Sequence, residues 1–423
     1  MKWRVVFLAS VLFLGCLKTG LMFAADKSSS LLLPGNPLEG SRLFSEKGCL
    51  GCHSVYGVGG VAGPELGQGI LKRPLLDIAG VMWNHAPGMV RLFQEQRITL
   101  PQFKPAEMAS LLSSLYYLGS LDPPGDPATG ARLFREKQCE TCHSLGGRGG
   151  KVGPKLDSYS SYASPIYLTV GLWNHGKPMA GVMEALHVPR PTFEKNDIPD
   201  LLAYIRSAGG ATERIYVRPG NPKTGEKLFA LKRCTQCHTP DSRGTRIGPD
   251  LRPKLKGSLI GIAGAMWNHG PKMWAKMGNV PSLAPEEMSD LISYLYFLQF
   301  IDPSGDAKRG RVVYQEKKCG SCHTLPGAGG TVGPELTKAE KLKTPVELVT
   351  EMWNHVGSME RKMLEESVEW PVFKGGEMAD LITYLLSVRK ESAAPAESKK
   401  SERKPPPVSS PATRERMKEG FGG

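Results

Sequence analysis

The sequence predicts an all-α protein built as four tandem small domains. Three observations carry that expectation: a fourfold repeat of about ninety residues, an apolar helical stripe closing every repeat, and Pro- and Gly-rich joints between repeats. The chain has 423 residues, more than one ordinary hydrophobic core serves. Its 40% hydrophobic and 22% charged content is ordinary globular usage, so most of it should fold. The formal charge of +13 favours acidic partners or an anionic surface and carries no information about fold.

The first element is a leader. "MKWRVVFLASVLFLGCLKTGLMFAADKSSS" has a short positive start, an apolar run from Val5 to Leu17 and then small residues. This pattern reads as a secretory signal over residues 1–25 rather than a lasting membrane span, and it predicts a periplasmic or extracytoplasmic protein. "FAAD" offers cleavage near Ala25, whereas "FLGC" resembles an imperfect lipobox that would leave Cys16 lipidated and membrane-anchored. We take simple cleavage as the first reading.

The repeats occupy residues 34–122, 123–212, 217–302 and 303–390. They begin "GNPLEGSRLFSEKGC", "GDPATGARLFREKQC", "GNPKTGEKLFALKRC" and "GDAKRGRVVYQEKKC". Each should open with a helix, pass through a Gly-rich loop, form a middle helix and close with an amphipathic one. The closing stripes are Met108, Leu111, Leu112 and Leu115, then Ile198, Leu201, Leu202 and Ile205. Met288, Leu291, Ile292 and Leu295 follow, then Met378, Leu381, Ile382 and Leu385. Steps of three and four place each set on one helix face, so these residues read as core. Residues 391–423, rich in Pro, Ser, Lys and Glu, have too little apolar surface to fold and read as a disordered tail.

Cysteine spacing decides the chemistry. Beyond Cys16, the cysteines form four C-x-x-C-H motifs: Cys49, Cys52 and His53; Cys139, Cys142 and His143; Cys234, Cys237 and His238; Cys319, Cys322 and His323. This is the attachment signature of c-type haem, with two thioether bonds to the porphyrin and the adjacent His on iron. Redox disulfides would not need a His after every pair, and a zinc ribbon would need a second ligand pair in each repeat. Four haem c groups are therefore expected.

With these motifs in place, the repeats resemble class I cytochromes c over nearly the whole chain apart from leader and tail. Each also carries G-P-x-L after the haem His, at Gly63-Pro64, Gly153-Pro154, Gly248-Pro249 and Gly333-Pro334. The resemblance implies that the carbonyls of Pro64, Pro154, Pro249 and Pro334 accept a hydrogen bond from the iron-bound imidazole. It implies that the Leu two residues later packs on the haem. It further implies a small all-α domain wrapped round each haem.

The sixth ligand departs from that family's pattern. The loop before the closing helix places Leu100, Arg190, Val280 and Trp370 ahead of its Pro, where a Met is usual. A Trp-Asn-His-x-x-x-Met element recurs instead, with His85, His175, His269 and His355 followed four residues later by Met89, Met179, Met273 and Met359. Positions i and i+4 share a helix face, so either residue can meet the iron. Pro87, Pro178 and Pro271 fall inside this turn and are expected to distort it. The resemblance favours Met, with Trp83, Trp173, Trp267 and Trp353 bonding haem propionates or framing the pocket. The identical Trp-Asn-His run favours His, with Met as filler. We take Met first and His as the alternative. His187 stands outside this scheme and reads as a surface residue.

Four covalent haems with both axial positions supplied point to one-electron transfer in a respiratory chain rather than to catalysis. The Lys-rich approaches "LKRC" and "EKKC" should steer redox proteins with acidic docking surfaces. Nucleic acid is not an expected partner; a membrane complex is. A haem enzyme with an open iron site, or a structural segment of an extracellular electron conduit, are the alternatives.

Overall fold

The computed structural model describes residues 35–67, 73–118, 125–161, 164–194, 196–210, 218–240, 247–255, 257–301, 305–338 and 342–393. The leader with Cys16 and nearly all of the expected tail lie outside the described residues. The first repeat holds α1 (Pro37–Glu46), α2 (Leu75–Glu95) and α3 (Pro105–Leu118). The second holds α4 (Pro127–Glu136), the single turn α5 (Cys139–Cys142), α6 (Pro165–Ala185) and α7 (Asp197–Ala208). The third holds α8 (Pro222–Leu231), α9 (Leu259–Met277) and α10 (Pro285–Phe297). The fourth holds α11 (Ala307–Glu316), α12 (Pro345–Glu365) and α13 (Glu377–Ala393). The last helix runs three residues past the expected domain end at 390. No described helix is long and apolar enough to cross a membrane.

The opening helices start where the sequence supplies a cap. Asn36, Asp126, Asn221 and Asp306 are extended residues whose side chains accept backbone N–H groups of the first turn, and Pro37, Pro127 and Pro222 follow as pre-set first residues. The same residues tie opening to closing helix. The backbone N–H of Asp126 donates to Asp200 at 2.7 Å, that of Asn221 to Asp290 at 2.6 Å and that of Asp306 to Asp380 at 2.7 Å. In the first repeat, Ser110 takes that place as acceptor from Asn36 at 3.2 Å.

One turn further on, a glycine lets the two helices touch backbone to backbone. A Cβ on Gly40, Gly130, Gly225 or Gly310 would lie 1.8–2.0 Å from the carbonyl oxygen of Ser110, Asp200, Asp290 or Asp380. Only a residue without a Cβ fits there. Below this crossing the closing stripe is buried as its spacing predicts: Met108, Met288 and Ile292 are fully buried, and Ile198 and Met378 nearly so.

The middle helices pair across repeats. Trp83 donates its indole N–H to the Pro371 carbonyl at 2.8 Å, while the Asn84 amide donates to the Phe373 carbonyl and accepts from the Phe373 N–H, both at 2.8 Å. The fourth repeat reciprocates. Trp353 donates to Pro101 at 2.8 Å, and Asn354 holds both backbone groups of Phe103. Repeats two and three make the same clasp through Trp173 and Asn174 on Pro281 and Leu283, and through Trp267 and Asn268 on Pro191 and Phe193. A third contact joins the pairs: the Tyr296 hydroxyl donates to the Tyr116 carbonyl at 3.3 Å, and the Tyr116 ring lies 4.8 Å from that of Phe300. The repeats therefore neighbour one another in the order 4–1–3–2.

The middle helices continue through their internal prolines: α2, α6 and α9 run through Pro87, Pro178 and Pro271. A helical Pro leaves the carbonyl four residues earlier without its donor, which is Trp83 for Pro87 and Trp267 for Pro271. Both carbonyls are satisfied from the paired repeat, Trp83 by the Trp370 indole at 3.1 Å and Trp267 by the Arg190 guanidinium at 2.5 Å. Where the paired helix has no Pro at that position, the same loop position is Leu100 or Val280, which have no side-chain donor.

Candidate cofactor sites

Each C-x-x-C-H segment is reached through a residue in left-handed conformation: Gly48, Gln138, Arg233 and Lys318. The turn that follows is closed by the His N–H donating to the carbonyl of the first Cys at 2.9–3.0 Å. In the fourth repeat it brings Cys319, Cys322 and His323 to one cavity. None of the eight described cysteines is in a disulfide. Burial pushes the thiols of Cys49, Cys139, Cys234 and Cys319 up to about 11.

The imidazoles are oriented alike. Nδ1 of His53, His143, His238 and His323 lies 2.9–3.1 Å from the carbonyl oxygens of Pro64, Pro154, Pro249 and Pro334. A carbonyl only accepts, so Nδ1 carries the proton and Nε2 is left with its lone pair free. Beside each ring stands the Gly of G-P-x-L; a Cβ there would come within 2.4–2.8 Å of the imidazole. The motif thus fixes both the tautomer and the space the ring occupies.

In the fourth repeat these groups border a cavity of about 530 Å³, within the range of cofactor sites. Cys319, Cys322 and His323 form one side, Leu336 of G-P-x-L packs on it, and His355 and Met359 face it from α12. In the second repeat Leu156 and Met179 pack against the corresponding core. Two thiols beside a fixed-tautomer imidazole in an apolar cavity of this size fit a covalently attached haem. Among the described residues no cluster of His, Cys, Asp and Glu forms a separate metal site.

The recurrent Trp reaches into the paired repeat. Trp83 lines the cavity of the fourth repeat. Trp267 and Trp274 pack into the core of the second, with Phe193 and Cys139. The indole N–H groups of Trp83, Trp267, Trp173 and Trp353 donate to prolyl carbonyls of the clasp. All four positions carry the same three letters whichever repeat they face, so the sequence pattern alone does not reveal the exchange.

The His of the same element is also oriented. Nδ1 of His85, His175 and His355 lies 2.7 Å, 3.1 Å and 2.8 Å from the carbonyl one turn earlier, at Val81, Gly171 and Glu351. Nε2 is again the free nitrogen. In the third repeat the rings of His238 and His269 lie 6.3 Å apart, and burial with the neighbouring His238 and Lys272 holds His269 below the usual His range. His187 is exposed, in left-handed conformation just after α6.

The expected electrostatic approach is partly consumed internally. Lys232 and Lys317, mostly buried, pair with Glu287 and Glu377 at 2.8 Å and 3.1 Å, as Lys137 does with Asp197 at 2.9 Å. Arg233 and Lys318 beside them keep part of their surface in solvent.

No solved structure matches this chain. A family model described as Cytochrome c matches residues 127–209, 222–299 and 307–389, the second, third and fourth repeats, and spans more than half of the sequence. With the paired thiols and the oriented imidazole repeated in register, and an apolar cavity beside them in the fourth repeat, the chain belongs to the cytochrome c family.

Proposed function

We propose that this protein is an exported tetrahaem electron carrier, or the electron-transfer subunit of a respiratory complex, working on the periplasmic side of a membrane. The observation that supports four haems is the first repeat. Outside the matched ranges, it has the same Cys49-x-x-Cys52-His53 turn, the same His53–Pro64 bond at 3.0 Å and the same Gly40 crossing as the other three. The leader supports export, and its Cys16 supports a lipid anchor as the second form of that reading. Haem supplies a one-electron iron couple.

The chain's own residues do the rest. Each Cys pair would hold the haem through two thioether bonds, and the Pro carbonyl orients the proximal His so that Nε2 is the nitrogen left to bind its iron. For the sixth position we favour the distal His over the Met. Two imidazole nitrogens about 2 Å from one metal, with ring centres roughly 1 Å further back, give a separation of about 6 Å. The 6.3 Å between His238 and His269 agrees with that value. Met89, Met179, Met273 and Met359 then act as soft packing one turn away. Two such protein ligands would leave an iron no position for a substrate. Lys318 lines the fourth cavity and the exposed Arg233 stands just before Cys234 in the third repeat; both suit an acidic redox partner, an attraction that salt weakens.

Intact mass and reductive titration of the mature protein test the reading together. Four covalent haems and four electrons taken up per chain are expected. Three of either, or a haem that binds carbon monoxide without losing a ligand, would contradict it.

A further inference from the structure

We infer that the haem sites are built as two interdependent pairs, repeat 1 with repeat 4 and repeat 2 with repeat 3, in which Trp83 is a wall residue of the fourth site and Trp267 of the second. The inference rests on the four-haem reading for the first repeat only; both members of the 2–3 pair match the family. It differs from the arrangement that chain order suggests, in which each repeat would close its own site and couple to its sequence neighbour.

The argument turns on helix geometry. Trp83 and His85 are two residues apart on α2, about 200° round the helix, so they face opposite ways. His85 stands in the same place as His355, which borders its own repeat's cavity, while Trp83 lines the cavity of repeat 4. One helix therefore forms a wall of two sites. α9 repeats the device: His269 lies against His238 of its own repeat, and Trp267 is buried in the core of repeat 2 beside Phe193.

The clasp makes the sharing rigid. Trp83 is fixed at its indole by Pro371, at its carbonyl by Trp370 and on its ring by the Trp370 stack at 4.3 Å; its neighbour Asn84 is fixed by Phe373. Pro371 and Phe373 line the same cavity that Trp83 enters. Trp267 is held likewise by Pro191, by the Arg190 hydrogen bond and by the Arg190 guanidinium 3.9 Å over its ring. A displacement of Trp83 must move the segment that walls the fourth site and the helix that carries His85. The two members of a pair meet across one pair of packed middle helices, whose axes ordinarily lie about 8–10 Å apart. A change of charge at one site is then felt more at its paired site than elsewhere.

Electron paramagnetic resonance and potentiometric titration of the full haem-loaded chain test this. Four chains, each with the two cysteines of one repeat replaced by Ala, assign the signals. Trp83→Leu is expected to shift the signal and midpoint of the fourth-repeat haem and leave those of repeats 2 and 3 in place; Trp267→Leu is expected to shift that of repeat 2. Trp83→Phe, which keeps a ring, should shift the fourth signal less. Signals that move only in the mutated repeat would overturn the pairing. Should a Leu variant fail to load haem, the assigning chains decide. Losing haem 4 should move the midpoint of haem 1 alone and losing haem 3 that of haem 2 alone, whereas movement of sequence neighbours instead would overturn the proposal. A chain with no haem in repeat 1 refutes the four-haem reading and leaves the 2–3 arm as the test.

Discussion

The indole N–H of Trp370 donates to the carbonyl of Trp83 at 3.1 Å, the carbonyl that Pro87 leaves without its helical donor. The partner of a defect in one repeat is thus a side chain 287 residues away in another. Trp370→Phe keeps the stack and removes the donor, leaving a buried carbonyl unpaired at a cost of about 1–3 kcal/mol. In a Pro87→Ala background the helix supplies its own N–H, and the same change should cost much less. Denaturant unfolding of the four chains of this double-mutant cycle measures the coupling; equal costs in both backgrounds would show that the bond contributes nothing.

Arg190 plays the corresponding part for Trp267, but as a cation. Its Nη2 donates to the Trp267 carbonyl, and its buried Nε has no partner among the described residues. A fixed positive charge disfavours the more positive oxidised iron, so it raises the potential of the nearest site. Arg190→Gln retains a donor and removes the charge. It should lower the midpoint of the second-repeat haem by tens of millivolts, where about 60 mV of a one-electron couple is a tenfold change. A rise, or no change, would contradict this.

The Gly crossings give a sharper stability test. A Cβ at Gly225 would meet the Asp290 carbonyl oxygen at 2.0 Å, and backbone on both sides leaves no flexible end to yield. Gly225→Ala should destabilise the third repeat by about 3 kcal/mol or more, beyond ordinary core overpacking of about 1–3 kcal/mol. Haem loading should fall in that repeat first, read by intact mass. Gly88 has open space within 4 Å of the place a Cβ would take, so it is the control and should tolerate Ala.

Acid should loosen the first repeat's loop before its helices. The Ser54 hydroxyl and the N–H groups of Gly67, Gly57 and Tyr56 hold the Glu65 carboxyl down at about 2. A depressed carboxyl contributes stability that is fully present above its unfolded value, about 4.3, and is lost as pH falls through about 2. Amide exchange at Tyr56 and Gly57 should therefore speed up, relative to its intrinsic rate, between about pH 4 and pH 2. In Glu65→Gln it should be fast throughout, with that pH dependence removed.

Much of this was legible in the sequence because it is local. The Cys49-to-His53 spacing and the Met108 stripe each lie within a short stretch of chain, where spacing determines which groups meet, and the Pro64 acceptor came with the family resemblance. The clasp was not legible, because Trp83 and Trp353 stand in identical local sequence and their partners lie 288 and 252 residues away. A signal for it did exist. Trp370 and Arg190 occur where the paired helix has Pro87 or Pro271, and Leu100 and Val280 where it does not, but that correspondence has meaning only once the pairs are known. The sixth position was half legible: i and i+4 placed His269 and Met273 on one face, and the proposal of the imidazole rests on the Nδ1 bonds and the 6.3 Å ring separation, which only the structure supplies.

Near-infrared magnetic circular dichroism of the oxidised protein, scaled to haem per chain, tests the account most directly. Bis-imidazole charge-transfer intensity from four haems, with no long-wavelength iron–thioether band, is the result we predict. An iron–thioether band of comparable intensity would contradict it and place Met89, Met179, Met273 or Met359 on the iron instead.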